Sequence, residues 1–297
     1  MINKEQAKQM EFAEGFVAAL DQSGGSTPKA LAHYGVEKHQ FSNDEEMFDL
    51  MHNMRSRIMR SPNFTSKKII GAILFENTME REVAGKATAD YLWTERHVVP
   101  FLKVDKGLAD VIDGTQMLKP IPELNKLLQR AKQRNIFGTK MRSVVHKPSE
   151  VGIEAVVRQQ FEIGKKIIAY GLVPIIEPEV NIHAEKKAKA ENILLSSLKR
   201  HLDLLDSGNK VILKLTLPES ANHYEELTRH PNIMRVVALS GGYSRNVANK
   251  MLSENKNIIA SFSRALTEGL SAKQTDGEFN AILGQSIDAI SSASSAG

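Results

Sequence analysis

One lysine stands out for its surroundings. Lys214 sits in Lys210-Val211-Ile212-Leu213-Lys214-Leu215, a run otherwise apolar and partly β-branched. Such a setting strips hydration from an ammonium group and favours the neutral amine, and a second cation nearby, such as Lys140, pushes the same way. A neutral amine attacks a carbonyl carbon and forms an iminium. The same lysine could also reach out to solvent along its stem or pair with a carboxylate. Its type and place alone therefore leave the chemistry open.

Glu177-Pro178-Glu179 follows a second apolar run, Val173-Pro174-Ile175-Ile176. Making and breaking an iminium needs protons moved to and from a carbinolamine oxygen, and a poised carboxyl can move them. The competing reading is an ion pair with a neighbouring lysine, which would keep the carboxylate ionised and structural. Two further stretches suit phosphate. Ser240-Gly241-Gly242 offers backbone N–H groups on an adaptable turn, and Ser263-Arg264 adds a hydroxyl and a guanidinium. Near the start, Asp21-Gln22-Ser23-Gly24-Gly25-Ser26 supplies a carboxylate, two hydroxyls and a pliant backbone.

These groups need a frame that brings distant segments to one place. Short apolar runs recur at 16–20, 69–75, 98–104, 136–141, 173–176, 211–215, 235–239 and 258–262. They read as strands buried on both faces of a parallel sheet. Between them, helical spacing is clearest over 149–170, where Ser149 can cap the start and Gly171 sits past the end. Further helices are expected at 44–60, 121–134, 184–207, 219–229, 244–254 and 276–290. The alternation predicts an α/β fold, a single (β/α)8 TIM barrel. Residues 1–297 read as one domain, with the small, polar stretch 291–297 as a flexible tail.

A barrel concentrates chemistry at the C-terminal ends of its strands. The polar residues there are Asp21, Glu76, Lys103 with Asp105, Lys140 with Arg142, Glu177 with Glu179, Lys214, Ser240 with Gly241, and Arg264. Cations and carboxylates alternate around one ring, an unusual load for strands otherwise built of Val, Ile and Leu.

Composition narrows the classes. The chain has 297 residues, no cysteine, and 39 Lys and Arg against 35 Asp and Glu. The absence of cysteine excludes disulfides, thiolate zinc sites and cysteine nucleophiles. The net charge of +4 is too small and dispersed to argue for nucleic acid, and the basic run at 186–189 is flanked by Glu185 and Glu191. The nine histidines show no metal-ligand spacing, and there is no nucleotide-binding glycine loop. No cofactor or metal is expected. Neither a signal peptide nor an apolar span of membrane length is visible, so the expectation is a soluble, cytoplasmic protein with no membrane partner.

In this order, the motifs resemble the class I fructose-bisphosphate aldolases over nearly the whole chain. The resemblance rests on Lys103-Val104-Asp105-Lys106-Gly107, on Val173-Pro174-Ile175-Ile176-Glu177-Pro178-Glu179, on the lysine of the sixth strand, and on Ser240-Gly241-Gly242. It implies Lys214 as the Schiff-base nucleophile, Glu177 as acid and base, and Asp21 as the group that takes the C4 hydroxyl proton. Lys140, Arg142 and Glu179 complete the charged set. Ser240, Gly241, Gly242 and Arg264 would hold one phosphate of a phosphorylated sugar, and Ser23, Ser26 and Lys103 the other. Three departures point to a bacterial-type branch: Leu215 where the family commonly has proline, Gln22 where many members have glutamate, and no tyrosine after Tyr243. Other readings remain open here: a Schiff-base lyase for monophosphorylated sugars, a non-catalytic protein keeping the barrel, or a metal-dependent aldolase.

Overall fold

A computed structural model describes residues 2–297. Eight strands run parallel in sequence order: β1 (Phe16–Leu20), β2 (Ile69–Leu74), β3 (Val99–Lys103), β4 (Gly138–Val145), β5 (Val173–Val180), β6 (Val211–Thr216), β7 (Ile233–Leu239) and β8 (Ile258–Ala260). The ring closes where the Ala19 amide of β1 donates to the Phe262 carbonyl just past β8, at 3.1 Å. This is the (β/α)8 barrel that the alternating pattern predicts.

Period-two geometry sorts β1, β3, β5 and β6 into two faces. Val17, Ala19, Val99, Phe101, Val173, Ile175 and Ile212 point to the axis and fill the barrel with apolar side chains. Their neighbours Ala18, Leu20, Leu102, Ile176 and Leu213 point outward and pack in the strand–helix layer. Continuing the inward parity by one or two steps reaches Asp21, Lys103, Glu177 and Lys214. The lower barrel is therefore dry packing and the upper rim is charge. Gly138 is needed where β4 meets this core: a Cβ there would stand 2.2 Å from the Val173 carbonyl oxygen and 2.8 Å from the Phe101 ring.

The outer helices are α1 (Lys4–Phe12), α2 (Thr27–His33), α3 (Asp44–Arg60), α4 (Thr88–Arg96), α5 (Leu124–Gln133), α6 (Glu150–Ala169), α7 (Lys187–Asp203), α8 (Arg245–Ser253) and α9 (Asp276–Ser295). Ser149 caps α6 through the Gly152 amide, as its sequence suggests. α1 closes the bottom of the barrel with Met10, and Arg235 of β7 binds the Met10 and Ala13 carbonyls at its end.

Four expectations are corrected. The segment 219–229 forms only a short 3-10 helix at Glu225–Arg229. Asn222 there adopts φ +63°, which breaks an α-helix, and its amide donates to Asn255 Oδ1 instead. The helix expected from 121 begins at Leu124, because Pro122 disfavours helical backbone at Ile121. β4 and β5 run four residues beyond expectation, to Val145 and Val180. The short strand Thr115–Gln116 pairs antiparallel with the end of β4 and prolongs it. Finally, the stretch 291–297 is not a loose tail: α9 continues through Ser295, Ala293 is buried, and buried Ser294 accepts the Ala260 amide at 3.0 Å.

Candidate active site

The strand ends surround a cavity of 610 Å³. Its wall carries Asp21, Ser23, Ser26, Lys103, Lys140, Arg142, Glu177, Glu179, Lys214, Ser240, Gly241 and Arg264. Gly242 does not line it, but a Cβ there would lie 3.2 Å from Arg264 Nη2, so the two candidate phosphate segments touch. Glu76 lies elsewhere. It starts a short helical turn after β2 and pairs with Lys106 at 2.8 Å and with Arg130 at 2.5 Å, away from the cavity.

Register explains the charged ring. Lys103 of β3 sits beside Lys140 of β4, and Arg142 of β4 beside Glu177 of β5. Ile176 pairs with Leu213, so the next step brings Glu177 alongside Lys214. The result is a buried chain of alternating charge. Lys140 Nζ stands 2.9 Å from Asp21 Oδ2 and 2.7 Å from Glu177 Oε2, while Lys214 Nζ stands 3.3 Å from Glu177 Oε1. At the side, Lys103 pairs with Asp105 at 2.6 Å and Arg142 with Glu179 at 2.6 Å.

The three lysines on the strand ends, Lys103, Lys140 and Lys214, are therefore held differently. Burial would push the Lys140 ammonium towards the neutral form, but Asp21 and Glu177 overcome it and raise its pKa well above the usual lysine range. Burial also opposes ionisation of Asp21, yet Lys140 and Lys214 outweigh it and hold the carboxyl far below its usual range. Arg142 is likewise kept charged, burial being offset by Glu179. Lys103 is bound to both the carboxylate and the carbonyl of Asp105. Lys214 has the longest carboxylate contact of the three and makes no hydrogen bond to a backbone carbonyl among the described residues.

Four carboxylates (Asp21, Asp105, Glu177 and Glu179) face four cations (Lys103, Lys140, Arg142 and Lys214). A proton that moves from Lys214 to Glu177 leaves the net charge of this group unchanged. Such a transfer avoids the cost of an unbalanced charge in a buried site.

The loops after β7 and β1 are shaped by their glycine and serine residues. Gly241 has φ +62° and a Cβ there would meet Ile182 at 2.5 Å, so the turn after β7 requires glycine. Ser26 is partly committed already: its hydroxyl donates to the Ser23 carbonyl at 2.9 Å and accepts the Ser23 amide at 3.0 Å. It closes the turn after β1 rather than pointing freely at a ligand.

Sequence reasoning missed several wall residues. Lys29 and His33 reach the rim from α2, and Ser261 lines it from the end of β8, beside Ser263, which the sequence had already paired with Arg264. Behind the wall, Arg55 of α3 is 1% exposed and makes no ion pair among the described residues. Burial pushes its pKa down to about 9, which still leaves it charged at neutral pH. A signal for Arg55 existed: it falls between Met51 and Ile58 on the buried stripe of an otherwise ordinary amphipathic helix.

Among the described residues, no group of three or more His, Cys, Asp or Glu is placed to hold a metal ion, and no helix is long and apolar enough to cross a membrane.

Comparison with known proteins now bears on this geometry. The family model for fructose-bisphosphate aldolase class-I matches residues 4–219. A fructose-bisphosphate aldolase class 1 from Synechocystis is 59% identical over 292 residues, covering 98% of this chain and 97% of the relative. In fold, the chain resembles the Plasmodium falciparum fructose-bisphosphate aldolase solved with TRAP and a small-molecule inhibitor. That match has a TM-score of 0.79 at 20% identity and covers 98% of this chain and 93% of the other. A Corynebacterium glutamicum protein, Cgl0159, shares the fold with a TM-score of 0.58 at 12% identity, over 97% of this chain and 91% of the other.

Proposed function

The chain belongs to the class I fructose-bisphosphate aldolases, and from that premise we propose that Lys214 is its Schiff-base lysine. The family reaction is reversible, metal-independent cleavage of fructose 1,6-bisphosphate to dihydroxyacetone phosphate and glyceraldehyde 3-phosphate, in glycolysis and gluconeogenesis. What the residues add is the division of labour.

The observation that carries the assignment is the unequal grip on the three lysines. Lys140 bridges two carboxylates and stays protonated, Lys103 is tied to Asp105, and Lys214 meets Glu177 only at 3.3 Å. Lys214 is the amine held least tightly by its neighbours, and Glu177 is the carboxyl beside it. The neutral amine attacks C2 of the ketose. Glu177 then returns the proton to the carbinolamine oxygen, which leaves as water and yields the iminium. The iminium draws in the electrons of the C3–C4 bond as that bond breaks. Asp21, kept ionised by Lys140, takes the C4 hydroxyl proton, and the aldehyde product departs. Protonation of the enamine at C3 and hydrolysis release dihydroxyacetone phosphate and restore Lys214. Arg142 and Glu179 brace the wall beside Glu177.

One phosphate is read onto Ser240, Gly241 and Arg264, with Gly242 shaping the turn, and the other onto Ser23, Lys103 and the turn that Ser26 closes. We take residues 1–297 as one functional domain acting in the cytoplasm on a phosphorylated sugar. Lys214→Arg tests the assignment. Arginine keeps the charge but forms no iminium, so turnover should collapse while phosphate binding persists. Cleavage at more than about a tenth of the wild-type rate would remove Lys214 as the nucleophile.

A further inference from the structure

Behind the turn that follows β1, a buried cation is spent on a neutral amide. Arg55 of α3 donates through Nη1 to Thr78 Oγ1 at 2.7 Å, and through Nη2 to the Gln22 carbonyl and, at 3.3 Å, to Gln22 Oε1. The far end of that amide, Gln22 Nε2, donates to Ser263 Oγ at 2.7 Å. Gln22 and Ser263 both line the cavity, and Arg264 follows Ser263 directly.

The direction of these hydrogen bonds is chemically fixed. A guanidinium has donors only, so the amide must present its oxygen to Arg55 and its NH₂ to Ser263. Ser263 Oγ therefore acts as an acceptor towards Gln22, and its own proton must go elsewhere. Ser263 Oγ donates no hydrogen bond to any of the described residues. The hydroxyl is left with a donor for the cavity, polarised by a chain that begins at a full positive charge.

We propose that Ser263 is a substrate-phosphate ligand aimed by a relay, Arg55 to Gln22 to Ser263, and that Arg55 and Gln22 are positioning residues for phosphate recognition. This rests on the reading of Ser240, Gly241 and Arg264 as a phosphate site. A glutamate at 22 would reverse the last link. Its carboxylate accepts from Arg55 as well, but it also accepts the Ser263 proton and turns the hydroxyl away from the phosphate. Glutamine at this position keeps the hydroxyl available.

The test is a double-mutant cycle on the full-length enzyme, read as KM and kcat for fructose 1,6-bisphosphate and as inhibition by inorganic phosphate. Ser263→Ala and Gln22→Glu should each raise KM and weaken phosphate inhibition about tenfold, the worth of one hydrogen bond to a charged group. kcat should stay within about twofold, because the link is made to bound substrate and transition state alike. In the Ser263→Ala background, Gln22→Glu should add little. Arg55→Met should behave as Gln22→Glu does; if its buried site does not fold, the Gln22 and Ser263 cycle decides alone. Multiplicative effects of Gln22→Glu and Ser263→Ala, or no effect of Ser263→Ala, would overturn the relay. Arg264→Met separates the two levels. If it leaves KM unchanged, the phosphate site itself is misplaced. If it raises KM while Ser263→Ala does not, only the relay fails.

Discussion

Lys214 Nζ stands 3.3 Å from Glu177 Oε1, while the other oxygen of the same carboxylate stands 2.7 Å from Lys140. One carboxyl thus faces both Lys140, held in its charged form, and the more loosely held amine of Lys214. Both lysines project inward from strands flanking Glu177, so the contact is a product of barrel register rather than of loop conformation.

Glu177→Gln keeps the shape of this junction and removes its proton capacity. The rate of iminium formation, followed by trapping at short times, should fall by roughly 10²–10⁴-fold with little change in KM. A rate close to wild type would assign the proton transfers to another group.

Asp21 owes its low pKa mainly to Lys140, working against burial. Lys140→Met leaves the burial and removes the attraction, so the Asp21 pKa must rise. The acid limb of kcat/KM should therefore move to higher pH, by on the order of one unit or more. An acid limb at the wild-type position would show that Asp21 is not the group whose ionisation the reaction needs.

The same shift has a consequence for stability. A carboxyl with a depressed folded pKa adds stability above its ordinary value of 3.8, and that share is lost as pH falls through the folded pKa. Denaturant titrations below pH 3.8 should thus show a shallower loss for Asp21→Asn than for the wild type. Parallel curves would mean that the buried pair contributes nothing to acid stability.

Gly138 allows Phe101 and the Val173 carbonyl to approach β4. Gly138→Ala should lower the unfolding free energy by about 1–3 kcal/mol through overpacking. An unchanged denaturation midpoint would show that β4 can shift without cost.

Much of the fold was legible because buried parallel strands leave apolar runs bounded by polar residues, and 16–20 and 211–215 are nearly matched by β1 and β6. Strand ends were less legible. Arg142, Glu177 and Glu179 are polar, so they read as the residues beyond a strand although they lie within β4 and β5. Inward parity would have separated Asp21 and Lys214, on the axis, from Glu76, which pairs outside. The Arg55–Gln22–Ser263 relay joins three segments far apart in the chain, and only the tertiary structure brings them together. The helical stretch through Ser295 was hidden by its small polar residues, one of which, Ser294, packs against β8.

The central claim is that Lys214 carries the covalent chemistry. It is tested most directly by borohydride reduction in the presence of dihydroxyacetone phosphate, followed by peptide mass spectrometry. A reduced adduct on Lys214 alone is the predicted result. An adduct on Lys103 or Lys140 would keep the reaction class and contradict the assignment, and full turnover with no adduct on any lysine would contradict the covalent mechanism itself.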